Sequence, residues 1–182
     1  LFAKAIWFQH TISNNLINNY LSSKVFNLNA IDIFSKGHKN ICLVGSLEKN
    51  NYFDLRQKYF FEFYKINNIQ ISQKNIVKIK SNNFNDSKKK LLRFIKTNKD
   101  TTLYIVSSEQ FINIVLESFK KINKVIGKDI SVMSFDSNVL NILAPYITSI
   151  SQPVDEVNKN LIKLIIGKLN NMSGRKLKYL IK

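Results

Sequence analysis

The sequence predicts an α/β protein with a parallel β-sheet, and three features of the chain support this fold class. Apolar runs of four to six residues alternate with amphipathic segments of about twelve residues. The runs are rich in β-branched residues, as in Ile130-Ser131-Val132. The amphipathic segments are long enough for the helical crossovers that join parallel strands. At 182 residues, the chain can also enclose an ordinary domain core.

Strands are predicted wherever a short apolar run stands between turn-forming or polar residues. The runs at 41–44 and 102–106 are largely apolar, which is typical of strands buried on both faces. The run at 130–135 lies between Asp129 and Asp136, so an acid follows its carboxyl end, where ligands bind in open α/β sheets. Further strands are predicted at 76–79, 147–150 and 177–181.

Helices are predicted where apolar residues recur three or four positions apart. The first ends before Gly37, because glycine commonly terminates helices. The helix over 86–95 has Asp86 or Ser87 near its N-cap. The predicted helices cover 25–34, 53–66, 86–95, 109–122 and 154–169, and the last directs Val157, Leu161, Leu164 and Ile165 inward.

The formal net charge of +16 has two interpretations. A strongly basic chain is typical of proteins that contact nucleic acid through its phosphates. The alternative, which the sequence alone favours, is compositional bias: the chain is rich in residues of AT-rich codons, and its lysines are spread along the whole length. Only Ser87-Lys88-Lys89-Lys90 forms a cluster. On either interpretation, the charge raises the nonspecific affinity for polyanions.

Cysteine content and hydropathy indicate a cytoplasmic protein. The single cysteine, Cys42, cannot form an intrachain disulfide, which fits a reducing compartment. No apolar run approaches the roughly 20 residues that span a bilayer. The apolar start of the chain is too short for a signal peptide. We therefore expect no membrane partner.

The sequence carries none of the common enzyme motifs. It has no glycine-rich phosphate loop, and neither His10 nor His38 has a Cys, Asp or Glu at metal-ligand spacing. Carboxylates are few, so general acid–base pairs have few candidates. We expect a binding protein and not an enzyme, with no cofactor and no metal.

Several motifs occur in a specific order along the chain. They are Gly37-His38-Lys39 before an apolar strand, Gly45, Arg56, the stretch from Asp129 to Asp136, and Thr148 through Gln152-Pro153. Together they resemble the effector-binding part of the LacI/GalR family of bacterial transcription regulators. The resemblance runs from about Ser22 to the end of the chain. It implies a fold similar to the type I periplasmic binding proteins, in which helices flank a parallel sheet on both faces.

The resemblance implies five ligand-binding residues. Arg56 would bind the ligand through its planar fork of donors, and Phe84 would stack on an apolar ligand face. Ser108 stands where the family carries an asparagine, and its hydroxyl can still form hydrogen bonds. Asp136 would accept ligand hydroxyls, and Gln152 would line the cleft floor. Without the resemblance, Arg56 also fits a helix surface, Phe84 a core and Asp136 a turn cap.

The same resemblance divides the chain into four parts. Residues 1–21 are similar to a remnant of the N-terminal subdomain and its connection, and residues 22–149 to the C-terminal effector-binding subdomain. Residues 150–175 would return to the N-terminal subdomain as a crossover strand and helix, and 176–182 would form a final strand. The family's helix-turn-helix and most of its first subdomain have no counterpart. Departures from the family pattern at Ala3, Leu21, Tyr59 and Ser108 imply altered or lost binding.

These inferences predict the ligand-binding part of an N-terminally truncated LacI-type regulator, which senses a sugar, a phosphosugar or a similar small polar effector. In the parent protein, the partners would be the effector, a second copy in a homodimer, and DNA only through the missing helix-turn-helix. Two alternatives are a solute-binding protein of a sugar transporter and a degenerate copy without function. A further alternative is a basic, nonspecific nucleic-acid binder.

Overall fold

Strands and helices alternate along the part of the chain that the computed structural model describes. That part comprises residues 36–48, 51–66, 68, 71, 73–135, 144, 146–150 and 154–170. Its elements are β1 Ile41–Ser46, α1 Asn51–Ile66, β2 Ile76–Ile79, α2 Phe84–Thr97, β3 Leu103–Val106, α3 Ile112–Lys121, β4 Ser131–Phe135, β5 Thr148–Ile150 and α4 Val154–Leu169, with 3-10 turns at Gln73–Asn75 and Glu109–Phe111.

The five strands form one parallel sheet in the order β2-β1-β3-β4-β5. The predicted fold class is therefore confirmed. From β1 the chain moves to β2 on one side, and it then crosses to β3 on the other side. The strand order thus reverses between β1 and β3. In open α/β sheets, ligands bind beyond the carboxyl ends of the strands at such a reversal.

Each face of the sheet carries its own apolar core, because side chains alternate along a strand. In β1, Cys42 and Val44 lie in one cluster, and Ile41 and Leu43 lie in the other. The first cluster packs Leu91 of α2 and several residues of α3 against the sheet. The second packs Phe53, Phe60 and Tyr64 of α1 against the opposite face. Helices therefore flank the sheet on both faces, as the resemblance implied.

The start of α2 differs from its prediction. The helix begins at Phe84, and Asn83 is its N-cap, with the side-chain Oδ1 accepting a hydrogen bond from the Asp86 amide at 3.2 Å. The helix thus begins two residues before its predicted start, and Asp86, predicted to lie near the N-cap, is in the first turn. Ser87 is instead buried, and it joins the helix to the end of β2.

We predict that Ser87→Ala lowers the free energy of unfolding by about 2 kcal/mol. The Ser87 hydroxyl donates to the Lys80 carbonyl at 2.8 Å and accepts from the Lys80 amide at 2.9 Å. The substitution leaves both partly buried backbone groups without this partner. Urea unfolding measures the loss, and Ser81→Ala, at an exposed site, is the control. Equal stability of the two variants would contradict the assignment.

The third helix also starts later than predicted. Glu109–Phe111 form a 3-10 turn, and the α-helix itself covers Ile112–Lys121. The preceding Ser108 is extended, and its side chain makes no capping hydrogen bond. A tighter 3-10 turn commonly begins a helix in this situation. The apolar residues Ile114, Val115 and Phe119 lie on the buried face of this helix.

The chain divides into two compact units, one of Leu21–Ser151 and one of Leu1–Tyr20 with Gln152–Lys182. The sheet belongs to the first unit, and α4 belongs to the second. On α4, Leu164 is buried as expected, but Ile165 is 41% exposed, so its predicted inward position was wrong. Ile162, Ile166 and Leu169 are exposed as well. The predicted helix at 25–34, the strand at 177–181 and the side chain of Val157 lie outside the described residues.

Candidate functional site

Four parallel strands end at the same edge of the sheet, which we call the carboxyl edge. It is defined by the last residues of β1, β2, β3 and β4, which are Ser46, Ile79, Val106 and Phe135. The registers align Ser46 with Ile79 and Val106 with Ser134. Side chains that follow these strands therefore lie near one another, beside the reversal of strand order between β1 and β3.

Arg56 reaches the carboxyl edge from α1, although most of that helix face is apolar. The residue is only 6% exposed. Its guanidinium lies over the Phe135 ring, with Cζ 4.3 Å from the ring centre, and its Nη1 donates a hydrogen bond to the Ser107 carbonyl. Arg56 thus joins α1 to the ends of β3 and β4. Its interpretation as a helix-surface arginine is wrong.

The segment after β3 brings two serines to this site. Ser107 is buried, and its amide donates to the Val44 carbonyl at 2.8 Å, which extends the pairing of β3 with β1. Ser108 follows in an extended conformation and is half-buried. Because Arg56 contacts the adjacent Ser107 carbonyl, the fold places Ser108 beside the buried guanidinium. Ser108 thus lies two residues beyond the end of β3, and its role in ligand binding stays a prediction.

Phe84 lies at the first turn of α2, just beyond the end of β2. It is 39% exposed, and the Lys88 ammonium lies 5.7 Å from its ring centre. This exposure excludes its interpretation as an ordinary core residue. Its ring is accessible at the carboxyl edge, and stacking on a ligand requires such access.

Asp136 and Gln152 lie outside the described residues. Asp136 directly follows Phe135, the last residue of β4, and Gln152 follows β5 by two positions. Their assignment to the site stays a prediction from the sequence.

Two contributions to the carboxyl edge were not predicted. Leu47 follows β1 and is 49% exposed, while its amide donates to the Ile79 carbonyl at 2.8 Å. No signal in the sequence identified Leu47, because the predicted strand ended at Val44 and β1 continues to Ser46. The acceptor at Ser107 is a backbone carbonyl, so no residue type in the sequence could identify it as a partner of Arg56.

The described residues give no support for metal or cysteine chemistry. Among them, no group of three or more His, Cys, Asp or Glu is placed to hold a metal ion. Cys42 is fully buried, and burial raises the pKa of its thiol well above the ordinary value, which disfavours the thiolate nucleophile. No described helix is long and apolar enough to cross a membrane.

His38 lies at the opposite, amino-terminal edge of the sheet. Its Nδ1 is 2.9 Å from the Thr102 hydroxyl. Burial, and then the charge of Lys36, lower the pKa of His38. The unfolded chain therefore binds a proton more readily than the folded protein does. Stability linked to this group is retained above the unfolded pKa of about 6.5 and is lost as the pH falls below it.

We predict that His38→Gln reduces the acid sensitivity of folding. Between about pH 7.5 and pH 5, wild type should lose more unfolding free energy than the variant, because only wild type carries the histidine whose pKa is lowered. Urea unfolding at several pH values measures the difference. Parallel stability curves for the two proteins would contradict the role of His38.

Comparison with known families identifies a match over most of the chain. The model of the periplasmic binding protein-like domain matches residues 33–180. A comparison with curated protein sequences gives no significant match. The family match covers every strand of the sheet and every element at the carboxyl edge.

Solved structures with the same fold include transcription regulators, two of the three compared below being LacI-family proteins. A regulatory protein from Chloroflexus aggregans is 15% identical, with a TM-score of 0.71, over 87% of this chain and 56% of its own. A sugar-binding regulator from Escherichia coli, complexed with phosphate, is 17% identical, with a TM-score of 0.66, over 86% and 55%. The regulator CelR in complex with cellobiose is 13% identical, with a TM-score of 0.65, over 85% and 46%.

The chain spans about half the length of these solved relatives. Its sheet order, its flanking helices and its carboxyl edge are those of one subdomain-sized α/β unit. The family match over residues 33–180 leads to one conclusion: the chain belongs to the periplasmic binding protein-like domain family, and it shares the fold of the solved LacI-family regulators.

Proposed function

We propose that the chain is the effector-binding part of a LacI-type transcription regulator and that the carboxyl edge is one wall of its ligand cleft. The observation that carries this proposal is the position of Arg56. A buried arginine, held by Phe135 and the Ser107 carbonyl, stands where the strand order reverses. Fixing its guanidinium in advance lowers the entropy cost of binding a polar ligand.

A sugar or a phosphosugar is the ligand class that fits this wall. Arg56 offers planar donors for hydroxyl or phosphate oxygens, and the exposed Phe84 ring offers an apolar surface for a sugar face. Ser108 and Asp136, which follow β3 and β4 in the sequence, would add a hydroxyl and a carboxylate. The regulators complexed with phosphate and with cellobiose support the same class.

The proposed division of the chain follows the four parts predicted from the sequence. Residues 22–149 would supply the effector wall, and residues 1–21, 150–175 and 176–182 would belong to the second subdomain. In the parent protein, a homodimer in the cytoplasm would bind DNA through a helix-turn-helix outside this chain. The solute-binding alternative has the same fold, and the solved relatives that are transcription regulators favour the regulatory function over it.

Thermal unfolding against a panel of sugars, phosphosugars and inorganic phosphate tests this proposal. A ligand that binds only the folded protein raises the Tm, by an amount that grows with its concentration. We expect at least one panel member to raise the Tm of wild type and to raise that of Asp136→Ala less. If no member shifts the Tm of wild type, the effector-binding function is contradicted for this chain.

A further inference from the structure

Among the four α-helices of the described residues, α2 carries the largest net positive charge. This helix carries five cations and one carboxylate in 14 residues. By contrast, α1 carries three cations and two carboxylates in 16 residues, and one of those cations is the buried Arg56. A compositional bias spread along the chain would charge the two helices alike. The excess on α2 therefore calls for a local explanation.

The cations of α2 face away from the core. Ser87 and Leu91 are buried against the sheet, whereas Lys89, Arg93 and Lys96 are exposed. These three positions are four and three residues apart, so they form one outward row. The row extends for roughly 10 Å along the helix axis. Lys90 flanks it, and we call these four residues the basic strip.

The nearby carboxylates are already engaged. Asp86 accepts a hydrogen bond from Asn83 and lies 3.7 Å from the Lys89 ammonium. On α3, Glu117 lies 3.2 Å from the Lys88 ammonium and 4.0 Å from that of Lys120. Within the described part of the chain, no carboxylate pairs with Lys90, Arg93 or Lys96. Most of the charge of the strip is therefore available to a partner.

The strip costs stability in the isolated protein. Lys89 and Arg93 are four residues apart, and Arg93 and Lys96 are three apart, so like charges are neighbours on the helix surface. Each such pair destabilises a helix by about 0.2–0.5 kcal/mol. A polyanion that neutralises the row would relieve this repulsion and release its own counterions at the same time.

We propose that the basic strip of α2 binds the phosphate backbone of duplex nucleic acid without sequence specificity. An outward row of long basic side chains can contact several phosphates, and phosphate contacts carry no sequence information. Single strands are bound through exposed aromatic platforms. Phe94 is half-buried, and Phe84 lies on the opposite side of the helix from Arg93, so neither accompanies the row.

An anionic membrane is the less suitable partner. Helices that lie on membranes carry an exposed apolar face beside their basic residues. On α2 the apolar Leu91 is buried, and Leu92 and Ile95 are half-buried against the unit. Of the apolar residues of α2, Phe84 alone is exposed, and it lies on the side opposite Arg93. No apolar face therefore accompanies the basic row, and the duplex backbone fits the exposed charge better.

Fluorescence anisotropy with a short labelled duplex, at about 50 to 200 mM salt, tests the proposal. The log of the binding constant should fall linearly with log salt for wild type. In the triple variant Lys90→Gln, Arg93→Gln, Lys96→Gln, the slope should become shallower by about 2 to 3, since each lost phosphate contact removes about 0.9. A duplex of scrambled sequence should bind wild type equally well.

The matched control is Lys65→Gln, Lys163→Gln, Lys168→Gln, which removes the same charge at exposed positions on α1 and α4. It should keep a slope within about 1 of wild type. An equal decrease of the salt-dependence slope in both triple variants would overturn the proposal. Binding of wild type that does not depend on salt would also overturn it. Binding to phosphatidylserine vesicles but not to the duplex would also overturn it.

The Tm of the strip variant, expected to equal or exceed that of wild type, excludes misfolding as the cause. No effector is present, so the result is independent of the ligand cleft.

Discussion

Replacing Gly45 by alanine is expected to lower the free energy of unfolding by about 3 kcal/mol, at the upper end of the overpacking range. Gly45 lies inside β1, between the strand partners β2 and β3. A Cβ atom there would overlap three ring carbons of Phe53. Phe53 belongs to α1, is 3% exposed and packs in the apolar core between this helix and the sheet. The ring cannot move into solvent, so the strand or the helix must shift. Urea unfolding measures the loss.

A double-mutant cycle separates this overlap from other causes. Phe53→Ala alone should cost about 3–5 kcal/mol, because it empties a buried position. With the ring removed, adding Gly45→Ala should cost less than about 0.5 kcal/mol more, since the overlapping atoms are gone. Additive losses in the double variant would contradict the proposed contact between Gly45 and Phe53.

Arg56→Ala is expected to destabilise the protein by about 3 kcal/mol. The substitution removes the cation–π contact with Phe135 and the hydrogen bond to the Ser107 carbonyl, and it leaves a gap beside β3 and β4. Arg56→Lys retains the charge but loses the planar stack, so its stability should lie between those of wild type and Arg56→Ala. Denaturant unfolding of the three proteins tests this order.

Arg93→Ala provides the matched control, because Arg93 is exposed on α2. Its stability should stay within about 0.5 kcal/mol of wild type. If Arg56→Ala changed the free energy of unfolding as little as Arg93→Ala does, the Arg56 side chain would not be held in place for a ligand. A preformed cleft wall requires Arg56 to be held by Phe135 and the Ser107 carbonyl.

The sequence was sufficient to predict the architecture. β2 and α4 have the predicted bounds, and the other described strands and helices begin or end within about three residues of their predicted limits. Alternating apolar runs and amphipathic segments determine such elements locally. The predicted helix starts were wrong where the residue at the N-terminal cap sets the first turn. Asn83 began α2 early, and the uncapped Ser108 turned the first turn of the next helix into a 3-10 turn.

The candidate site was predicted less completely. The family resemblance identified Arg56, but its burial depends on Phe135 and on a backbone carbonyl, which belong to strands distant in sequence. The exposure of Phe84 depends on where α2 starts, so periodicity could not separate a core position from an edge position. The arrangement of charge on α2 was also only partly predictable from the sequence. The sequence showed one cluster, Lys88-Lys89-Lys90, among lysines spread along the chain, and only the helix geometry aligned Lys89 with Arg93 and Lys96.

Calorimetric titration of the best panel ligand into wild type, Phe84→Ala and Tyr146→Ala tests the ligand cleft most directly. Phe84 and Tyr146 are exposed aromatics, 39% and 52% respectively, but Phe84 follows β2 at the carboxyl edge and Tyr146 precedes β5 at the other edge. We predict that Phe84→Ala weakens binding by about tenfold, or about 1.4 kcal/mol, and that Tyr146→Ala leaves the Kd unchanged. Unchanged affinity in Phe84→Ala, or equal losses in both variants, would contradict a ligand site at the carboxyl edge.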